Sequence, residues 1–282
     1  MKMNALYRVL GTSKQAFHQY LDKQMLVIEE QQQLLPIIIQ IRADHPRLSA
    51  RQMYVMINPQ SMGRDKFEQF CYLYGFKLAI KRAFHKTTNS LGVTRFENLI
   101  AGFELTGVNQ VWASDITFYR IGERFYYITF ILDLYSRFIV GYTVSIGMLT
   151  EQTTIPALNM ALKLRGPAQG LIFHSDGGGQ YYCKKFLAIT KSNLIENSMC
   201  ESVYENAHAE RINGTVKNDY LIYYAPQDYK QLVTLTDKAV KMYNFARPHS
   251  SLGNISPATY ELSTKSALVN KEKRSKKEIL QQ

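Results

Sequence analysis

Residues 111–145 read V-W-A-S-D-I-T-F-Y-R-I-G-E-R-F-Y-Y-I-T-F-I-L-D-L-Y-S-R-F-I-V-G-Y-T-V-S. β-Branched and aromatic residues crowd into three runs, 111–119, 124–133 and 138–145, the composition of strands rather than helices. Gly122-Glu123 and Tyr135-Ser136-Arg137 separate the runs as hairpin turns. Downstream the period lengthens. Residues 150–164 read as a helix and G-L-I-F-H (170–174) as a short buried strand. Residues 182–189 follow as a helix, 195–199 as a last strand, and 206–220 and 228–244 as two further helices. Three antiparallel strands followed by alternating helices and strands predict an α/β domain with a mixed five-stranded sheet flanked by helices.

Upstream the character is helical and basic. Leu6, Val9 and Leu10 form one apolar cluster, and Phe17, Tyr20 and Leu21 continue it at helical spacing. Gly11-Thr12-Ser13 lies between them, with Ser13 as an N-cap. Ser49 caps a helix through Met56, and residues 61–65 open another that runs through Tyr74 and stops at Gly75. Residues 1–80 are therefore expected to be a small all-α, helix-turn-helix-like unit, the raw material of major-groove docking. Residues 81–108 read as a linker, 109–263 as the α/β core, and 264–282 as a disordered basic tail.

Charge separates along the same boundaries. Residues 1–96 carry 14 Lys and Arg against 6 Asp and Glu, 97–263 carry 14 against 15, and 264–282 carry 6 against 2. Basic flanks around a near-neutral middle suit a polyanion, because each neutralised phosphate releases condensed counterions. No apolar run approaches the ~20 residues of a membrane helix, and the N-terminus lacks a signal-peptide pattern, so a soluble cytoplasmic protein is expected. Cys71, Cys183 and Cys200 match neither a disulfide framework nor a zinc site.

Three acids attract attention. Asp115 lies mid-strand among apolar and small neighbours, where a charge needs a partner. Asp176 ends a buried strand in H-S-D-G-G-G-Q-Y, and the glycines let something bulky approach the backbone. Ligands of α/β sheets bind at strand carboxyl ends. Glu210 sits on a helix that also carries Asn213 and Lys217 on its face. Taken singly, each has a bland reading: a paired strand acid, a turn, a solvated helix face. Taken together, three carboxylates on different elements meet the needs of two-metal phosphodiester chemistry, in which ions ~3.5–4 Å apart serve the attacking and leaving oxygens.

Five ordered motifs carry a resemblance. They are N-Q-V-W-A-S-D-I-T (109–117), I-L-D-L-Y-S-R-F-I-V-G (131–141), F-H-S-D-G-G-G-Q-Y (173–181), E-N-A-H-A-E-R (205–211) and Y-N-F-A-R-P-H-S-S-L-G (243–253), followed by S-P-A-T-Y (256–260). Residues 87–260 resemble the OrfB product of insertion sequences whose transposase is encoded as an OrfA–OrfB pair. Those proteins belong to the retroviral-integrase-like DDE superfamily and have a ribonuclease-H-like fold. The resemblance implies that Asp115, Asp176 and Glu210 are catalytic and hold two Mg²⁺ ions, with Mn²⁺ an acceptable substitute. Asp115 would bridge the ions while Asp176 and Glu210 each complete one shell. It also implies DNA partners (terminal inverted repeats and target DNA), an OrfA-type partner or fusion, and self-association as a dimer or higher.

Lys217, Asn213 and Arg211 become candidate DNA contacts, and Arg247 and His249 are either a structural signature or further DNA contacts. Asp133 is read as structural, and Trp112 and Tyr181 as core or site-wall residues. Two departures stand out. Asp176 and Glu210 are separated by 33 residues, two fewer than the usual pattern, and Glu205 replaces the usual Asp. The shortening is placed in residues 200–204, and Glu205 competes for metal from another side of the helix. The weighed alternatives are a nuclease of the same fold that cuts without joining, and a non-catalytic DNA-binding protein derived from a transposase.

Overall fold

The structure, a computed structural model, describes residues 7, 9, 11–60, 62–79, 96–166, 169–200 and 207–265. The chain divides into two compact units, Met1–Lys81 and Arg82–Gln282.

The first unit is built of helices α1 (Lys14–Asp44), α2 (Ala50–Ile57) and α3 (Arg64–Leu73). Ser13 caps α1 by accepting from the Ala16 amide at 3.1 Å. Ser49 caps α2 in a reciprocal box with Gln52, which satisfies two amides that a helix start leaves without partners. Leu34, Ile38, Leu48, Met53, Phe67 and Phe70 form its core. α1 runs for 31 residues and passes through Pro36. An internal proline removes one helical donor, but Leu34 and Ile38 on either side are buried and hold the turn in place. α3 begins after Gly63 with no side-chain cap; Ser61 lies outside the described residues, as do Leu6 and Leu10 of the first apolar cluster.

In the second unit β1 (Val111–Ile121), β2 (Arg124–Asp133) and β3 (Ile139–Ser145) form the antiparallel half of the sheet. β4 (Ile172–Ser175) and β5 (Glu196–Met199) add in parallel, giving the order β3-β2-β1-β4-β5. Helix α4 (Thr154–Arg165) connects β3 to β4, and α5 (Lys184–Ser192) connects β4 to β5. Helices α6 (Ala207–Thr215) and α7 (Tyr229–Phe245) follow, and residues 257–265 are also helical. This is the expected mixed five-stranded sheet with helices, in the ribonuclease-H-like arrangement.

Strand alternation sends side chains into two layers. Val111, Ala113, Ile128, Phe130 and Leu132 join Ile212, Val216 and Val240 on one face. Trp112, Ile131, Val140 and Phe173 join Leu158 and Phe186 on the other. Within the expected linker, Leu99, Ile100 and Leu105 pack against the first of these layers, and the Leu99 amide donates to Ser198 Oγ at 3.0 Å.

The region expected as one plain helix over 206–220 changes its winding. After Thr215 it continues as a π-helix, Val216–Leu221. Its i→i+5 bonds widen the turn, and Val216, Tyr220 and Leu221 all lie buried in the core. Segment 80–95, the loop 201–206 with Glu205, and the tail 266–282 lie outside the described residues. No helix among the described residues is long and apolar enough to cross a membrane.

Candidate active site

The parallel pairing of β1 with β4 sets up the site. Its last registered pair is Ser114 with Ser175, so Asp115 and Asp176 are the next residues on neighbouring strands, whose spacing is about 4.8 Å. The chain turns away immediately after Asp176. Gly177 has φ +73°, and a Cβ there would run into the Met199 side chain, so only glycine fits. Asp176 Oδ1 accepts from the Gly178 amide at 3.0 Å and stabilises this turn.

The third acid comes from α6. Asn213, one turn beyond Glu210, donates its Nδ2 to Asp115 Oδ2 at 2.6 Å. The Ile116 amide donates to Asp115 Oδ1 at 2.8 Å. Burial pushes the Asp115 carboxyl up to about 7, and the neighbouring Asp176 and Glu210 charges add to the rise while the two hydrogen bonds oppose it. The three acids therefore share one electrostatic environment. Asp115 is half-buried; Asp176 and Glu210 are exposed.

Ser114 and Tyr181 form a floor beneath the acids. Their hydroxyls are 3.0 Å apart, and Ser114 Oγ also donates to the Phe130 carbonyl at 3.0 Å. Burial, then the Asp176 and Asp115 charges, raises the Tyr181 phenol well above its usual range, so it stays protonated. Tyr181 and Trp112 are both core residues, one of the two readings left open for them.

None of the three acids is ion-paired with a basic side chain among the described residues. Three carboxylates lacking a basic partner are a hard oxygen-donor set of the kind Mg²⁺ prefers. Among the described residues no three His, Cys, Asp or Glu side chains lie close enough to hold an ion as they stand. Asp115 is fixed by Asn213 and Ile116, so chelation requires the exposed Asp176 and Glu210 side chains to turn inward. Rotamer changes of exposed side chains are fast.

Asp133 is fully buried and held elsewhere. Its Oδ1 accepts from the Tyr135 and Ser136 amides, both at 3.0 Å, and its Oδ2 accepts from the Asn109 amide at 2.6 Å. It closes the β2–β3 turn, in which Arg137 takes φ +62°.

The candidate DNA contacts separate by surroundings. Arg211 is exposed. Lys217 Nζ lies 4.2 Å from the centroid of the Phe118 ring, and burial lowers its pKa. Asn213 is buried and committed to Asp115. Arg247 pairs with Asp219 at 3.0 Å and lies over the Tyr220 ring. His249 packs edge-on against Tyr243, and burial lowers its pKa to about 4, which keeps it neutral. Sequence reasoning missed the Ser114–Tyr181 floor and the Asn213–Asp115 bond. The spacing of Asn213 three residues after Glu210 signalled a shared face but not which group it would meet.

The comparisons with known proteins cover this same region. An integrase core domain family matches residues 106–203, and a second integrase core domain family matches residues 195–257. The insertion element IS600 uncharacterized 31 kDa protein of Shigella sonnei is 35% identical over 204 residues, covering 71% of this chain and 75% of its own. The transposase InsF for insertion sequence IS3A of Escherichia coli (strain K12) is 33% identical over 175 residues, and the chain spans 60% of that relative's length. Among solved structures, the HTLV-2 integrase catalytic core domain in complex with magnesium is similar at a TM-score of 0.45 and 21% identity, over 55% of this chain and 97% of that one. The chain belongs to the insertion-sequence transposases of the retroviral-integrase-like superfamily, and is thus an enzyme of the polynucleotidyl-transferase kind.

Proposed function

We propose that this protein cuts and joins DNA at the ends of an insertion sequence, with Asp115, Asp176 and Glu210 holding two Mg²⁺ ions. The observation that supports this most is the β1–β4 register, which sets Asp115 beside Asp176, together with the influence of Asp176 and Glu210 on the Asp115 carboxyl. When bound, the ions supply a lowered nucleophile pKa and charge stabilisation at the leaving oxygen. Mn²⁺ suits the same donor set.

The chain's own residues do the rest. Asn213 holds the Asp115 carboxylate in one orientation, and a positioned ligand loses less entropy when it engages. The Gly177 turn keeps bulk away from the end of β4. Arg211 and Lys217 contact DNA phosphates, Lys217 as a point charge. Asn213, Arg247 and His249 build the site and its supports. The reaction is substitution at phosphorus. Water attacks first, its proton passes to solvent, and the leaving strand departs with a free 3′-OH. That 3′-OH then attacks a phosphodiester in another strand, and a 3′-OH leaves in exchange, so bonds made and broken balance at each step.

The helical first unit engages terminal inverted repeats through phosphate contacts, which position the protein without reading sequence. Bringing two element ends together calls for at least two copies, and an OrfA-type partner or fusion supplies further end recognition. The protein works in the cytoplasm on the nucleoid.

The test uses purified protein, with the OrfA-type partner if needed, element-end DNA and Mg²⁺. Asp115→Asn, Asp176→Asn and Glu210→Gln are each expected to abolish both cleavage and joining. Wild-type levels of both reactions in all three variants would overturn the assignment. Cleaved ends without joined products would favour a nuclease.

A further inference from the structure

β1 pairs with β4 only as far as Ser114. From Asp115 to Ile121 the strand pairs with β2 on one side and, among the described residues, with no strand on the other. Two aromatic rings are exposed on this stretch and its β2 partner. Phe118 is 50% exposed, and Phe125, on β2, is 47% exposed. The β1–β2 register makes them diagonal neighbours on one face, and their centroids are 5.6 Å apart in an edge-to-face pair. Each ring carries a cation: Lys217 Nζ lies 4.2 Å from the Phe118 centroid, and Arg120 Cζ lies 5.8 Å from that of Phe125. No carboxylate partners Lys217 among the described residues. The hairpin adds Arg124 and one acid, Glu123. Phe118 stands three residues beyond Asp115, about 10 Å along the strand, so the two side chains leave opposite faces of β1; Lys217, four residues after the Asn213 that binds Asp115, links the two surroundings.

Exposed rings bordered by positive charge fit one ligand chemistry well. The ring faces take up bases, and the ammonium and guanidinium groups take up the phosphates between them. A surface made for another protein would favour fewer charges at its centre.

We propose that Phe118 and Phe125 form a stacking platform for unpaired nucleotides at the end of the bound DNA, with Lys217 and Arg120 holding their backbone. This rests on the transposase reading for the presence of a DNA end at the site. Bases in a closed duplex present no free faces, so the platform favours an end whose last pairs are open. Stacking is tolerant of sequence, so the preference extends to DNA unrelated to the element.

The test measures binding in EDTA, where no cutting occurs. The probes are a short blunt DNA duplex and the same duplex with unpaired terminal nucleotides, one of them the fluorescent base analogue aminopurine. Wild-type protein is expected to bind the open-ended probe about tenfold more tightly, the loss typical when one stacked base is given up, and to quench its fluorescence. Phe118→Leu and Phe125→Leu are expected to erase that preference and the quenching. Phe118→Tyr, which keeps a ring, restores both. Lys217→Gln is expected to weaken binding to both probes, and to the open-ended one by the larger factor. Equal wild-type affinity for the two probes, or an unchanged preference in Phe118→Leu, overturns the platform alone. Binding to neither probe overturns the transposase reading with it. If Phe118→Leu leaves DNA binding intact but lowers the mass in sedimentation, the patch is a contact between copies and the platform is refuted.

Discussion

Replacing Asp115 with Asn offers a quantitative check on the electrostatics of the site. Burial pushes the folded carboxyl up to about 7, from the roughly 3.9 of an exposed aspartate. An acid whose pKa rises on folding favours the folded state while protonated. That contribution is complete below pH ~4 and is lost as the pH climbs through ~7, because the unfolded chain ionises first. Linkage places the extra cost between about pH 5 and about pH 8.5 at roughly 2–3 kcal/mol, using 1.36 kcal/mol per pKa unit. Asp115→Asn removes the titration. In urea denaturation with EDTA present, the variant is expected to gain on wild type by about 2 kcal/mol across that range, after allowing for partial solvent screening. Trp112, the only tryptophan and fully buried in β1, reports unfolding of this unit directly. A stability difference that stays constant from acid to alkaline pH would refute the raised carboxyl, whose first cause is burial and whose second is the Asp176 charge.

Other outcomes follow from the same geometry. Asp133→Asn replaces an acceptor of several backbone amides and is expected to cost about 2–3 kcal/mol in urea denaturation, while the folded fraction keeps wild-type cleavage; lost activity in fully folded protein would make Asp133 a site residue. Gly177→Ala forces a Cβ into Met199 at a positive φ, and is expected to cost at least ~1 kcal/mol and to reduce cleavage. Unchanged stability and activity would show that the turn after Asp176 is not fixed.

The strands were legible because their β-branched and aromatic runs end at turn residues whose chemistry is local: Gly122 takes φ +57° at the first hairpin. The length of α1 was not legible from its start at Ser13, since burial of Leu34 and Ile38 on either side of Pro36 carries the helix through that residue. The π winding after Thr215 has no local signature; it answers to the core positions of Val216, Tyr220 and Leu221. The three acids were identified by motif. Their adjacency is another matter, since it depends on the parallel β1–β4 register and on the Asn213–Asp115 bond, and neither is encoded in neighbouring residues. Asn213 was expected to touch DNA because a buried amide bonded to a carboxylate and an exposed helix-face amide look alike in sequence.

The central claim is that three carboxylates act as one divalent-ion centre. Electron paramagnetic resonance of bound Mn²⁺ tests it without DNA, with Asp133→Asn as the control acid. Wild type and Asp133→Asn are predicted to bind Mn²⁺ alike, and Asp115→Asn, Asp176→Asn and Glu210→Gln are each predicted to weaken that binding sharply. Undiminished Mn²⁺ binding in any one of those three folded variants would contradict the shared centre.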